Sequence, residues 1–210
     1  MQTRGAPAGP PPAFVFVGGR PCLDLVDTLG MRGVRDLERL PDGERLGQWL
    51  AGAGLAASPP SASEADVRRA RELREAVYGL VRCVLNRQHP SEHDVAVVNQ
   101  AARKADLVPQ LRAGDAAGAA GLTAAWHGTA PVAAALSTIA RDAIELLSGP
   151  LAGRVKECEH PDCTLVFLDD SQARRRRWCS MERCGNLAKV AKYRGRATGG
   201  TPAHAAAGRN

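Results

Sequence analysis

Most apolar residues of the chain recur at three- and four-residue intervals, which predicts a mainly helical protein with short β-type runs at a few places. Phe14 to Val17 is one such run, read as a strand stopped by Gly18 and Gly19. Pro21 to Leu29 then places apolar residues at 22, 25, 26 and 29, a helical spacing. Glu44 to Leu50 reads as a short helix ahead of Gly52 and Gly54, and 56–61 as a Pro/Ser loop. The clearest helix opens at a Ser-x-x-acid cap, Ser61 with Glu64 or Ser63 with Asp66, and runs to about Arg87. Val67, Ala70, Leu73, Val77, Leu80, Val81, Val84 and Leu85 form its apolar face. A further helix starts at Ser91, with Asp94 three residues on, and is expected to turn Val95, Val98, Ala102 and Ala105 inward. Another begins near Pro131, carries Leu136, Ile139, Ala143, Ile144 and Leu147, and stops at Gly149 and Pro150. Between these two, 107–128 has no decisive period, and loop, hairpin and frayed helix all fit it.

The chain of 210 residues is long enough for one core of about 100 to 150 residues and a smaller appended unit. The division predicted is a helical domain with a small β element over 14–150 and a small unit over 151–196. Residues 1–13 and 197–210, rich in Pro, Ala and Gly, are expected to be disordered tails. No run approaches the roughly 20 apolar residues of a membrane helix, and the start of the chain lacks the apolar core of an export signal, so a cytoplasmic protein is expected. Trp49, Trp126, Cys22 and Cys83 fall among apolar residues and are expected in the core.

Net charge is +6, but it is unevenly spread. The segment Ser171–Arg196 alone carries +8, leaving −2 for everything else. That segment also holds two of four cysteines spaced Cys158-x4-Cys163-x15-Cys179-x4-Cys184. Two close pairs joined by a stretch that folds back supply the four corners of a tetrahedral Zn2+ site. Disulfides suit an exported protein better, and an iron–sulfur cluster fits a symmetric pattern followed by a basic helix less well. His160, beside the first pair, is a spare ligand type that four cysteines leave unneeded. In this reading Thr164–Leu168 and Arg175–Cys179 form the hairpin, and Met181–Arg196 is a helix with the fourth ligand in its first turn. Trp178 is expected to pack the small core of this unit. Lys189, Lys192 and Arg196 form a band on the helix, with Asn186 and Tyr193 beside it. Arg183 and Arg174, Arg175, Arg176 and Arg177 extend the basic surface, as phosphate contact requires.

RRWCSMERCGNLAK, after a cysteine pair and an Asp-Ser turn, resembles the CGNR zinc finger. Cys184, Gly185 and Asn186 match its signature, while Leu187 stands where the signature has Arg. GGRPCLDLVDTL, Gly18 to Leu29, is similar to the opening of the ABATE domain usually found before this finger, with Asp27 where an Asn is common. The resemblance implies a treble-clef-like finger, a β-hairpin followed by a helix, holding one zinc through Cys158, Cys163, Cys179 and Cys184. It also implies a bacterial stress-response transcription regulator that binds DNA through the finger and senses a small-molecule effector through the N-terminal domain. Homodimerisation is the other role open to that domain. Asp24 and Asp27 are left between pocket-lining, helix-capping and solvent-facing roles. A zinc-supported protein–protein adaptor or RNA binder is the competing reading. An enzyme is not expected, because no phosphate-binding Gly loop, nucleophile elbow or His-Glu metalloprotease pattern is present.

Overall fold

The computed structural model describes residues 12–113, 121–127 and 131–190. The tails at 1–11 and 197–210, and with them Lys192, Tyr193 and Arg196, lie outside the described residues. The N-terminal unit is built from α1 (Pro21–Val26), a two-residue ladder between β1 (Leu29–Gly30) and β2 (Leu37–Glu38), and α2 (Gly43–Gly52). It continues with α3 (Glu64–Asn86), α4 (Glu92–Ala102), a hairpin of β3 (Val108–Ala113) and β4 (Leu122–His127), and α5 (Pro131–Ser148). A 3-10 turn, Ala152–Arg154, leads to β5 (Val155–Glu157), which pairs antiparallel with β6 (Val166–Leu168).

Local chemistry fixes the helix ends where the caps are written. Of the two candidate boxes ahead of α3, Ser63 with Asp66 forms: each side chain binds the other's backbone N–H. Ser91 caps α4 and Asp42 caps α2, each accepting from a backbone N–H three residues on. The main core gathers Leu23, Leu25, Trp49, Leu73, Val77, Ile139 and Leu146. Inside it, Arg74 is buried yet satisfied, donating to both carboxylate oxygens of Glu38 at 2.7 and 2.9 Å and to Glu75 at 2.7 Å. A guanidinium costs heavily to bury without such a paired fork.

Several expectations are corrected. Phe14–Val17 is extended but belongs to no ladder. Its alternation serves two cores: Phe14 and Phe16 face α2, with Phe16 stacked on Trp49, while Val15 and Val17 pack against the C-terminal unit. Of the alternatives open for 107–128, the described residues take the hairpin, β3 paired with β4, and its β3 residues are all exposed, so no apolar period marks it. Trp126 lies on that hairpin, 37% exposed, and donates its indole N–H to the Gly54 carbonyl at 2.5 Å. On α4, Val98 is buried, but Val95 is exposed and Ala105 lies beyond the helix end. On α5, Leu146 takes the inward place assigned to Ile144, which is exposed. Cys22 is buried as expected, whereas Cys83 is only half-buried.

β6 joins the two units. Val166 and Leu168 enter the main core; Leu165 and Phe167 enter a second, smaller core with Val15, Cys158, Cys179 and Cys184. A strand buried on both faces reads as an uninterrupted apolar run, which Leu165–Leu168 is. Asp27 fastens β6 to α1: fully buried, it accepts from the Val166 N–H at 3.0 Å, and its second carboxylate oxygen has no partner. Asp24 accepts from the Gly18 N–H at 2.8 Å. Both aspartates therefore fix the chain path around α1. Burial pushes the Asp27 carboxyl well above the usual range, and burial raises Asp24 to about 6.

A carboxyl whose folded pKa is raised binds its proton more tightly in the native state. Native stability from that group is complete below the unfolded value and is lost as pH rises toward the folded one. Asp27→Asn keeps an oxygen for the Val166 N–H and cannot ionise. The variant is expected to be more stable than the parent at pH 7, with the difference shrinking toward pH 4, as read by denaturant unfolding across that range. An equal difference at both pH values contradicts the assignment.

Candidate metal centre and basic surface

Each cysteine is placed by its own backbone turn. Cys158 leaves β5, and its N–H donates to the Leu165 carbonyl at 2.9 Å. Cys163 closes the knuckle by donating to the His160 carbonyl at 2.9 Å. His160 accepts the Asp162 N–H on Nδ1 at 3.2 Å, a role in the turn and not at the metal. Met181–Gly185 is a π turn, not the first turn of an α-helix as expected; Ser180 caps it through the Arg183 N–H, and α-helical backbone follows over 186–190. The Gly185 N–H reaches the Ser180 carbonyl five residues back, at 3.0 Å. A Cβ on Gly185 would sit 2.7 Å from the Met181 sulfur, so the Met181 side chain, exposed and flexible, lies over the glycine beside the fourth ligand.

The four sulfurs lie within 4.8 Å of one another. Cys163 and Cys179 sulfurs are 3.9 Å apart, and Cys179 and Cys184 sulfurs 3.6 Å. A tetrahedral zinc–thiolate centre with bonds of about 2.3 Å has sulfur–sulfur edges of about 3.8 Å, so the set fits the ion. A disulfide needs about 2.05 Å, and all the cysteines are free. Three of the four are buried and Cys163 half-buried. The neighbouring Cys179 thiol and burial push the Cys163 thiol up, and burial with the crowding thiols pushes Cys184 up to about 12. Thiols so close cannot all ionise without a divalent cation to offset their charge. The Cys179 N–H, 3.3 Å from the Cys158 sulfur, adds a donor that favours thiolate. The chain thus holds one structural zinc, and no position is left open for substrate.

The expected returning strand at Arg175–Cys179 does not form; the hairpin partner of β6 is β5, and the first cysteine pair lies in its loop. Buried Asp169 is the reason. It accepts from Lys156 Nζ at 2.6 Å, from the Ser171 N–H and hydroxyl at 3.1 and 2.5 Å, and from the Arg176 N–H at 3.0 Å. Lys156 also donates to the Arg174 and Arg176 carbonyls. Backbone groups satisfied by side chains have no ladder to join. Burial pushes the Asp169 carboxyl upward, but the Lys156 ammonium and these donors outweigh it and hold it far below the usual carboxylate range.

The basic residues divide. Arg174, Arg175, Arg177, Arg183, Asn186 and Lys189 are exposed. Arg177 is paired with Glu159 at 2.5 Å. Arg176 differs from the others: it turns inward over the Phe167 ring at 4.4 Å and donates to the Val17, Trp178 and Cys179 carbonyls, so it braces the small core with only a quarter of its side chain exposed. Trp178 packs on that core as expected. Leu187, 56% exposed, lines a cleft between the finger and the β1–β2 loop instead of joining Lys189.

Metal analysis of the purified chain is expected to give one zinc, and Cys158→Ser to lose it together with the ordered structure of 155–190. Chelation or acid, which reprotonates the thiolates, should have the same effect, read by NMR of the finger amides. Retention of stoichiometric zinc by Cys158→Ser contradicts the centre.

Comparison with known families agrees with this geometry. A family model named ABATE and described as "putative stress-induced transcription regulator" matches residues 19–150, and a CGNR zinc finger model matches residues 154–197. No curated protein matches the chain significantly. The helical unit with its Gly18–Leu29 opening, followed by a four-cysteine centre with Cys184, Gly185 and Asn186 at its last ligand, makes this chain a member of the ABATE family bearing a CGNR zinc finger.

Proposed function

We propose that the chain is a cytoplasmic, zinc-dependent transcription regulator that contacts DNA through its finger. It acts by binding and not by catalysis. The observation that carries the reading is that Arg174, Arg175, Arg183 and Lys189 are all exposed, none with a carboxylate partner among the described residues, on the unit that the zinc folds. Cations free of local acids are the ones available to phosphates, and the amide of Asn186, exposed on the same unit, is suited to a base edge. Four thiolates on one ion suit a reducing compartment, which supports the cytoplasmic assignment. Family membership supports a regulatory role.

The N-terminal unit is assigned effector sensing or homodimerisation. Support comes from an apolar groove of about 480 Å3 between α3, α4 and α5, lined by Leu80, Val84, Val95, Val98 and Ile144. Two of these, Val95 and Ile144, are exposed apolar side chains.

Duplex DNA binding should weaken steeply with salt, with log affinity falling linearly against log salt, and Lys189→Ala should reduce that slope by about 1 while weakening all sequences alike. Asn186→Ala should change sequence preference. A flat salt dependence, or tighter binding of single-stranded RNA at the same salt, overturns DNA as the partner.

A further inference from the structure

The β3–β4 hairpin has one apolar face and no layer to cover it. Residues opposite one another in an antiparallel ladder share a face, and the register pairs Pro109 with Trp126 and Ala113 with Leu122. Leu111 lies between Pro109 and Ala113 on the same side of β3. The face so formed, Pro109, Leu111, Ala113, Leu122 and Trp126, carries no charge, while Gln110, Arg112 and Thr123 occupy the other. Trp126 is held by its indole N–H on the Gly54 carbonyl, but Leu111 is 71% exposed and Leu122 47%. A two-stranded hairpin is marginal in water unless a further strand or a helix packs on its apolar face.

The groove between α3, α4 and α5 is the complementary feature. The helical period sets Val95 and Ile144 inward, yet both line this groove, 37% and 40% exposed, above a floor that includes Val98 and Ala143. Arg87 is the one charged residue in its lining, so an apolar group entering it buries no acid. The chain's own hairpin is not placed to fill it. That hairpin joins the end of α4 to the start of α5, whereas Ile144 lies about 20 Å along α5 from Pro131, at 1.5 Å per residue. Trp126 ties the hairpin instead to Gly54, just beyond α2.

We propose that two copies of the chain pair about a two-fold axis, each inserting Leu111 and Leu122 of its hairpin into the α3–α4–α5 groove of the other. Hairpin and groove lie at opposite ends of the α4–α5 pair. Two copies set side by side and antiparallel therefore bring each hairpin to the other's groove, and the assembly closes at two. The exchange covers the open face of the hairpin and supplies the apolar neighbours that Val95 and Ile144 lack. A small apolar ligand would fill the groove but leave the hairpin bare, whereas a second copy covers both surfaces at once. The inference rests on the homodimerisation part of the proposed function and is independent of whether the finger contacts DNA.

The test uses full-length zinc-loaded protein without DNA. Sedimentation equilibrium is expected to show dimer forming by about 100 µM, as suits a contact of this modest size. Leu111→Glu and Ile144→Glu, both at exposed positions, should each raise the dimer dissociation constant on the order of a hundredfold, because each change falls twice in a two-fold interface. An equimolar mixture of the two keeps one unaltered hairpin–groove contact and should dimerise more tightly than either variant alone. Cross-linking gives a separate readout. Zinc holds four of the six cysteines and Cys22 is fully buried, which leaves Cys83, half-buried in the groove lining, as the reactive thiol. Leu111→Cys treated with a short bis-maleimide should form a covalent dimer through Cys83 of the partner subunit, and adding Cys83→Ser should abolish it. A dimer that either Glu variant leaves unchanged, no gain on mixing, or a covalent dimer that survives Cys83→Ser overturns the hairpin–groove contact while homodimerisation stands. A chain monomeric throughout the range overturns homodimerisation as well, and a small molecule carried by that monomer in native mass spectrometry would identify the groove's occupant as a ligand.

Discussion

Four thiolates around one ion hold together a unit that has little else to hold it. The small core contains Val15, Leu165, Phe167 and the cysteines themselves, with Val17 and Trp178 at its edge. That is far too few apolar groups to offset the ordering of some thirty to forty residues, at about 1 to 2 kcal/mol of backbone entropy each. The zinc supplies the missing cross-links, joining the β5–β6 loop to the π turn at Met181–Gly185. Whatever the exposed cations and Asn186 contact, their relative placement depends on that one centre.

The finger is not a bead on a string. β6 gives alternate residues to each core, and the extended segment at Phe14–Val17 does the same beside it, with the Leu168 N–H donating to the Gly18 carbonyl at 2.8 Å. Asp27 and Arg39 complete the seam from the helical side, one through Val166 and the other through Ala13. A change at the seam is therefore transmitted to the zinc-bound turn through packed side chains and buried hydrogen bonds, with little slack between units.

Much of the helical unit was legible from its punctuation. The Ser63 and Ser91 caps, Pro131 at the start of α5 and the apolar face of α3 each predict structure through bonds and contacts made within a few residues. Local pattern decides less where the deciding partner is distant in sequence. The β3–β4 hairpin buries nothing on its first strand, so no period marks it. The returning strand expected at Arg175–Cys179 is absent because Asp169 and Lys156 capture its backbone, and Arg176 turns inward because chain folding brings its acceptors at Val17 and Cys179 alongside.

The amino-acid sequence by itself determined the zinc centre and its ligands, since thiolate number and spacing are covalent facts that a tetrahedral ion reads directly. It also determined the family, through Gly18–Leu29 and the Cys184–Asn186 signature. Only the tertiary structure decided which of the arginines near the finger face solvent and which brace the core, and that Arg39, an unremarked residue in a loop, lies buried with its guanidinium on the Ala13 and Asp27 carbonyls. The reason is physical: charge and spacing are properties of the chain, while exposure and pairing are properties of what the fold brings alongside.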